Sequence, residues 1–378
     1  MPKSLVRLGG EVPWLDIGSY GRLGPTRRDR LSQEQLAVIA HTVRRSPEVM
    51  VKMLNAGGRD LPSVARHFEY LDRGGELEIE TDEGEKLKGK GTAAALVEDW
   101  ELALDAQRPA TADHKPRQAG KSPKLVHKMI FSMPAGTPPE KVLSAVKDFA
   151  REEFGAKHRY AMVMHTDEPH PHVHLVVRAA GYDGRRLRIC KATLRDWRRE
   201  FAHHLREHGV AANATERAVR GVTKPQKSDG IYRAGKRRAS THWNQRAASV
   251  SREMAASGNI DAEPGKSQML RTRQDVVRGW TELADDLLLQ GQVELAQAVR
   301  AFVKQLPPVR TEREWVRDAL LKRAAAERDR AVANWRAFRA QEQKAAEQVR
   351  QGELDRTRRR DPEALRERSR DQDRGRTR

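Results

Sequence analysis

Along residues 48–222 the apolar positions switch between a period of two and a period near 3.6, which predicts strands and helices in alternation. Residues 48–54 read as a first strand, the Gly pair at 57 and 58 as a turn, and Asp60 with Pro62 as the start of a helix. Val64, Phe68 and Leu71 fall on one face of that helix, and Gly74 and Gly75 end it. A short alternating ribbon follows at 76–80, then a Gly/Lys-rich loop to Gly91, a helix over 93–104 and a polar loop over 109–123.

The pattern then predicts a central strand at 125–132 and a turn whose Thr137 can cap a helix over 138–154. Val142, Val146, Phe149 and Ala150 line one side of that helix. Two strands flank residues 166–171, Gly181 and Gly184 bound a hairpin turn into a strand at 186–189, and a helix over 193–208 stops at Gly209. The sum is an α+β class, a central and mainly antiparallel sheet flanked by helices, ending near Gly221.

Beyond Pro225 the periodicity weakens. Residues 1–45 read as a basic N-terminal arm with one helix near 31–43, 46–222 as the folded domain and 223–265 as a basic linker. Residues 266–350 read as a helical region, and 351–378 as a charged, disordered or loosely helical tail.

Only 38% of the 378 residues are hydrophobic and 33% are charged, so part of the chain alone can form a packed core. The net charge of +19 points to a polyphosphate partner bound through counterion release, nucleic acid first. No run is apolar and long enough to suggest membrane insertion, and the single cysteine, Cys190, excludes an internal disulfide and a thiolate-rich zinc site. A reducing cytoplasm is the expected compartment.

The stretch His165-Thr-Asp-Glu-Pro-His-Pro-His-Val-His174 packs four imidazoles and two carboxylates into ten residues. His172 and His174 stand two apart on a predicted strand and so share a face, and the Pro169–Pro171 turn can fold His165 back beside them. Three imidazoles leave coordination positions open, which suits a catalytic divalent ion that grips phosphate oxygens. The bland alternative is a set of surface histidines in a turn.

Phosphodiester chemistry also needs a nucleophile. Tyr70, one of five tyrosines, lies near the end of the 60–71 helix with Arg66 and Arg73 on either side. A phenol needs a base or a metal to become a nucleophile at neutral pH. On its own, a tyrosine on an amphipathic helix is more often a packing residue.

These residues resemble a known group. His165-x-Asp167-x-x-x-Pro171-His172-x-His174 is similar to the third motif of conjugative relaxases of the MOBP type, in the HUH superfamily. The run from His67 through Tyr70 to Ile79 resembles the first motif, which carries the nucleophilic tyrosine. Phe131-Ser132-Met-Pro-Ala-Gly-Thr137 resembles the second, whose serine contacts DNA near the cut. Residues 207–221 resemble the end of the relaxase domain.

The resemblance implies an HUH relaxase/Rep-like fold and a metal-dependent nickase that cuts one strand of oriT DNA through a 5′-phosphotyrosyl bond. It implies Tyr70 as the nucleophile, with His165, His172 and His174 holding Mg or Mn and no nucleotide cofactor. Asp167 would orient a ligand or help deprotonate Tyr70, and His170 would be left over or carry a proton. Ser132, Arg66 and Arg73 would contact DNA.

One position departs from the pattern: Arg178 stands where relatives often carry Asn, and the expectation is that it either holds a phosphate or is a solvated side chain. The expected partners are single-stranded or supercoiled oriT DNA, a type IV secretion coupling protein and relaxosome accessory proteins. The basic tail from Arg374 would then be a translocation signal toward a recipient cell, or simply a solubilising segment. The rival readings are a rolling-circle initiator, disfavoured because the tyrosine precedes the histidines, a metallophosphoesterase with no covalent step, and a non-enzymatic DNA-binding accessory protein.

Overall fold

All but one of the strands expected from the alternation join edge to edge in one sheet, together with a two-residue strand inside the expected Gly/Lys-rich loop. In the computed structural model, which describes residue 17 and residues 30–54, 57–107, 122–223, 241–261 and 263–374, with side chains to 357, these are β1 (Met50–Leu54), β2 (Ile79–Thr81), β3 (Lys86–Leu87), β4 (Val126–Ser132), β5 (Tyr160–His165) and β6 (His172–Arg178). They lie in the order β1-β4-β6-β5-β2-β3, and every pairing is antiparallel. The long strands β4, β5 and β6 therefore occupy the middle, where runs of Val, Met and Ile are buried on both faces.

The helices are α1 (Gln33–Val43), α2 (Leu61–Leu71), α3 (Thr92–Asp99), α4 (Leu102–Gln107), α5 (Pro139–Phe154), α6 (Lys191–Glu207), α7 (Thr241–Ser257), α8 (Lys266–Leu289), α9 (Val293–Lys304) and α10 (Glu312–Arg374). One sheet face packs Met129, Phe131, Val173 and Leu175 against Val146 and Phe149 of α5 and Trp197 and Phe201 of α6. The other packs Val126, Ala161, Val163 and Val176 against Val64, Phe68 and Leu71 of α2 and Leu96 of α3. The expected helix over 93–104 is interrupted at Trp100, with Glu101 at φ +49°.

The predicted strand at 186–189 does not form; only an isolated bridge joins Ala180 to Arg186. The reason lies in the topology. β6 is already bonded to β4 on one side and β5 on the other, so it offers no free edge to a hairpin partner.

The chain divides into two compact units. The first holds Met1–Val222 together with Leu270–Pro308. The segment read as an N-terminal arm and part of the region read as separate helices thus share a third core, in which Ile39 of α1 meets Val276, Trp280 and Leu283 of α8 and Val299 and Phe302 of α9. Trp280 Nε1 donates to the Val219 carbonyl at 3.0 Å, and Asn213 Nδ2 donates to Thr42 Oγ1 at 2.9 Å. These long-range contacts carry no signature in a local window.

The second unit holds Thr223–Met269 and Val309–Arg378. Where the sequence predicts a linker, α7 forms, with Val250 buried and Arg246 paired to Glu312 at 3.8 Å. Alanine-rich composition is enough for helix there. α10 likewise continues to Arg374, through the segment read as a disordered tail, because Arg, Glu, Ala and Leu are good helix formers. Residues 375–378 and most of 1–29 lie outside the described residues. Among the described residues no helix is long and apolar enough to cross a membrane.

Candidate active site

Register brings the histidines together. Ser132, His172 and His165 are cross-strand partners in one row, and Ile130, His174 and Val163 form the next row but one on the same face. Period-two alternation then puts all three imidazoles on the face covered by α2. His165 and His174 are buried, and the facing nitrogens of His165, His172 and His174 lie within 4.8 Å of one another.

Each ring is oriented by what its far nitrogen does. His165 Nε2 donates to the Leu71 carbonyl at 2.8 Å, and His172 Nδ1 donates to the His170 carbonyl at 3.0 Å. Carbonyl partners of this kind set the tautomer and leave the opposite nitrogen unprotonated, with a lone pair to offer a metal. His170 itself is exposed and lies outside the cluster, so its contribution comes through its backbone. Burial, reinforced by His165 and His172, lowers the pKa of His174 to about 3, and burial lowers that of His165. Both rings are therefore neutral, the form that coordinates a metal.

α2 delivers the tyrosine. Asp60 caps the helix, its carboxylate accepting from the Ser63 amide at 2.8 Å, and Val64, Phe68 and Leu71 bury one face. That leaves Tyr70 on the flank beside the imidazoles, with ring centroids 6.2 Å from His174 and 6.3 Å from His165. The Tyr70 side chain is 54% exposed, open to a polymeric substrate.

After Tyr70 the chain reverses through three left-handed residues, Arg73 at φ +56°, Gly74 and Gly75. Gly75 is required there, since a Cβ would lie 2.5 Å from the Gly89 carbonyl carbon. The reversal returns Arg73 over the Tyr70 ring, 4.9 Å from its centroid, where Nη2 donates to Asp167 Oδ2 at 2.5 Å and sits 3.5 Å from His165 Nδ1. Asp167 therefore bonds an arginine rather than an imidazole.

The remaining predicted residues divide. Ser132 is buried beside His172 in the sheet, and Arg66 is exposed on α2 one turn before Tyr70, its Nε donating to the Pro62 carbonyl. Arg178 is not part of the site. It lies at the far end of β6, four residues and roughly 13 Å beyond His174, and its guanidinium makes 2.8 and 3.2 Å bonds to the fully buried carboxylate of Asp105. The expectation that it holds a phosphate is thus corrected: a buried carboxylate needs a cation, and Arg178 is that cation.

His67 was not singled out by the sequence, although it precedes Tyr70 by three residues on a helix. Its ring stacks on Tyr70 at 6.3 Å and 15° and meets His174 edge-on at 6.3 Å. Burial, then Lys128, lowers its pKa to about 4. A histidine next to the apolar stripe of α2, one turn from the candidate nucleophile, was the available signal.

Residues 80–210 match the relaxase family model described as MobA/VirD2-like, nuclease domain. That segment is similar to a MobA/VirD2-like relaxase nuclease domain. Tyr70 lies upstream of the matched segment, and the three histidines lie within it. The chain is 26% identical over 212 residues to the T-DNA border endonuclease VirD2 of Agrobacterium fabrum strain C58, covering 49% of this chain and 43% of that protein. It is 25% identical over 202 residues to VirD2 of Rhizobium radiobacter, covering 47% of this chain and 44% of that one. The chain thus spans less than half the length of these relatives. A solved structure of TrwC complexed with a 27-mer DNA is 15% identical, covers 68% of this chain and 98% of that one, and superposes with a TM-score of 0.28.

The site fits a divalent cation by the chemistry of its donors. Three imidazoles converge, two with their far nitrogens held by carbonyls, and an exposed phenol stands at the open side.

Proposed function

We propose that the protein is a conjugative DNA relaxase that nicks one strand of oriT DNA by transesterification through Tyr70. The observation that carries the reading is the approach of the exposed Tyr70 ring to the His165 and His174 rings at 6.2–6.3 Å on one face of the sheet.

In this reading His165, His172 and His174 hold Mg or Mn, which supplies Lewis-acid neutralisation of charge on the phosphate oxygens. The Tyr70 oxygen attacks phosphorus, the P–O3′ bond breaks, and the 3′ oxygen leaves and takes up a proton as the phenol proton passes to solvent or a neighbouring base. The product is a 5′-phosphotyrosyl bond and a free 3′-hydroxyl. The bond energy is conserved, so the 3′-hydroxyl can reverse the step without a nucleotide cofactor. Arg73, held by Asp167, fixes the Tyr70 ring and places positive charge beside the phosphate, while Ser132 and Arg66 line the approach of the strand.

The same reading makes oriT DNA the substrate and a type IV secretion coupling protein and accessory proteins the partners. It places the reaction in the bacterial cytoplasm, with the adduct translocated to the recipient. Incubation with a labelled oriT oligonucleotide and Mg or Mn, followed by a denaturing protein gel, tests it. The expected result is label at protein mass that disappears in Tyr70→Phe. Cleavage with no protein-linked label would instead indicate hydrolysis by a metallophosphoesterase and overturn the covalent reading.

A further inference from the structure

Lys128 carries a cation into the sheet. It sits on β4 with 7% of its surface exposed, and among the described residues it makes no hydrogen bond or ion pair. Buried lysines are rare unless paired, because an ammonium loses its hydration on burial. Alternation puts its side chain on the α2 face, the face of the imidazoles. It lies two residues, roughly 7 Å along the strand, from Ile130, the cross-strand partner of His174.

The surroundings of Lys128 favour an anion. The field of Asp60 reaches Lys128, but that carboxylate already caps α2. Lys124 raises the local positive charge, and Arg59 in turn acts on Lys124. Above the ammonium lies Gly57, an exposed residue at φ +69°. A Cβ at Gly57 would stand 3.1 Å from Lys128 Nζ and 3.5 Å from Ser63 Oγ. Gly57 thus places no side chain between that exposed turn and the ammonium.

We propose that Lys128 Nζ, opening beneath Gly57, seats a backbone phosphate of the DNA strand on which the Tyr70 site acts, so that the strand is held at a second point along the same sheet face. This assignment rests on the reading of the Tyr70 site as a DNA nickase. Holding a phosphate next to the reacting one fixes the strand's register against the phenol, since phosphate contacts position a nucleic acid and base contacts specify it.

The test compares the full-length protein with Lys128→Met, measuring affinity for a fluorescent single-stranded oligonucleotide across a salt series together with thermal melting. Loss of one phosphate contact is expected to reduce the slope of log affinity against log salt by about 0.7 and to weaken low-salt binding several-fold. Melting should stay level or rise, because a buried unpaired charge is gone. An unchanged slope, or a lower melting point with unchanged affinity, would assign Lys128 a packing role and overturn the proposal. Should Lys128→Met fail to fold, Lys128→Gln carries the same comparison. Formation of the covalent DNA adduct by the unaltered protein is scored separately: adduct with no slope change removes the phosphate seat alone, and a slope change with no adduct removes the nickase reading and leaves a DNA-binding groove.

Discussion

His165 Nε2 donates to the carbonyl of Leu71, the residue immediately after Tyr70, at 2.8 Å. One hydrogen bond thus ties a candidate metal ligand on the sheet to the helix end that carries the candidate nucleophile. Replacing His165 by Ala removes a ligand and strands a buried carbonyl, which costs about 1–3 kcal/mol on top of the cavity. Divalent-ion affinity by titration calorimetry and melting temperature are expected to fall together. Retained metal affinity would argue against the triad.

Tyr70→Phe is expected to abolish the protein-linked DNA label while leaving the melting temperature within experimental error. The hydroxyl belongs to a half-exposed ring, and its hydrogen-bond partner, the Arg73 guanidinium, is itself partly exposed. A large loss of stability would mean that the residue serves packing instead.

The Arg73–Asp167 pair should matter for activity and little for stability. Both side chains are partly exposed, at 31% and 54%, so the pair contributes at most about 1 kcal/mol. Asp167→Asn keeps the shape but weakens the hold on the arginine, and the expected effect is a slower nicking rate at saturating DNA with unchanged melting. Arg73→Lys should be impaired as well, because an ammonium cannot both lie over the Tyr70 ring and bond the carboxylate as a planar guanidinium does.

Asp105→Ala tests the pairing of Arg178 with Asp105. Leaving the arginine buried without its carboxylate is expected to cost about 3–5 kcal/mol, read by chemical denaturation. Arg178→Met with Asp105→Leu should recover much of that loss. DNA affinity of the double variant should match the unaltered protein; a drop would return Arg178 to the DNA interface.

Acid should destabilise the metal-free protein in a defined window. His67 and His174 have folded pKa values of about 4 and about 3, below the usual 6.5, as does His127 at about 4, each through burial first. Between these values and 6.5 the unfolded chain binds more protons than the folded one, so stability is full above 6.5 and falls as the pH drops toward 4. Melting temperatures from pH 7 to 4 check this, and a flat profile would contradict neutral buried imidazoles.

Local pattern made much of this legible. The two histidine strands, the helix from Asp60 to Leu71 and the clustering of His165, His172 and His174 follow from residue spacing, since a period of two fixes which side chains share a face and a proline-rich turn limits where the chain can go. Asp167 was legible as a site residue but not as the partner of Arg73, because that contact depends on the left-handed reversal after α2. The surroundings of His67 and Lys128 are not legible for a related reason: a single polar residue in an apolar window carries no mark of what it will face.

The arrangement of the sheet decided the rest. Whether Arg178 meets DNA or Asp105, whether residues 186–189 find an edge to pair with, and whether α1 packs with α8 and α9 all depend on contacts between segments dozens to hundreds of residues apart. The amino-acid order alone determined the chemistry on offer, namely imidazoles, a phenol and an excess of cations, together with the local periods that form strands and helices. Only the tertiary structure decided which of those groups meet, because strand order and long-range burial are set by the joint packing of the chain and not by any one stretch of it.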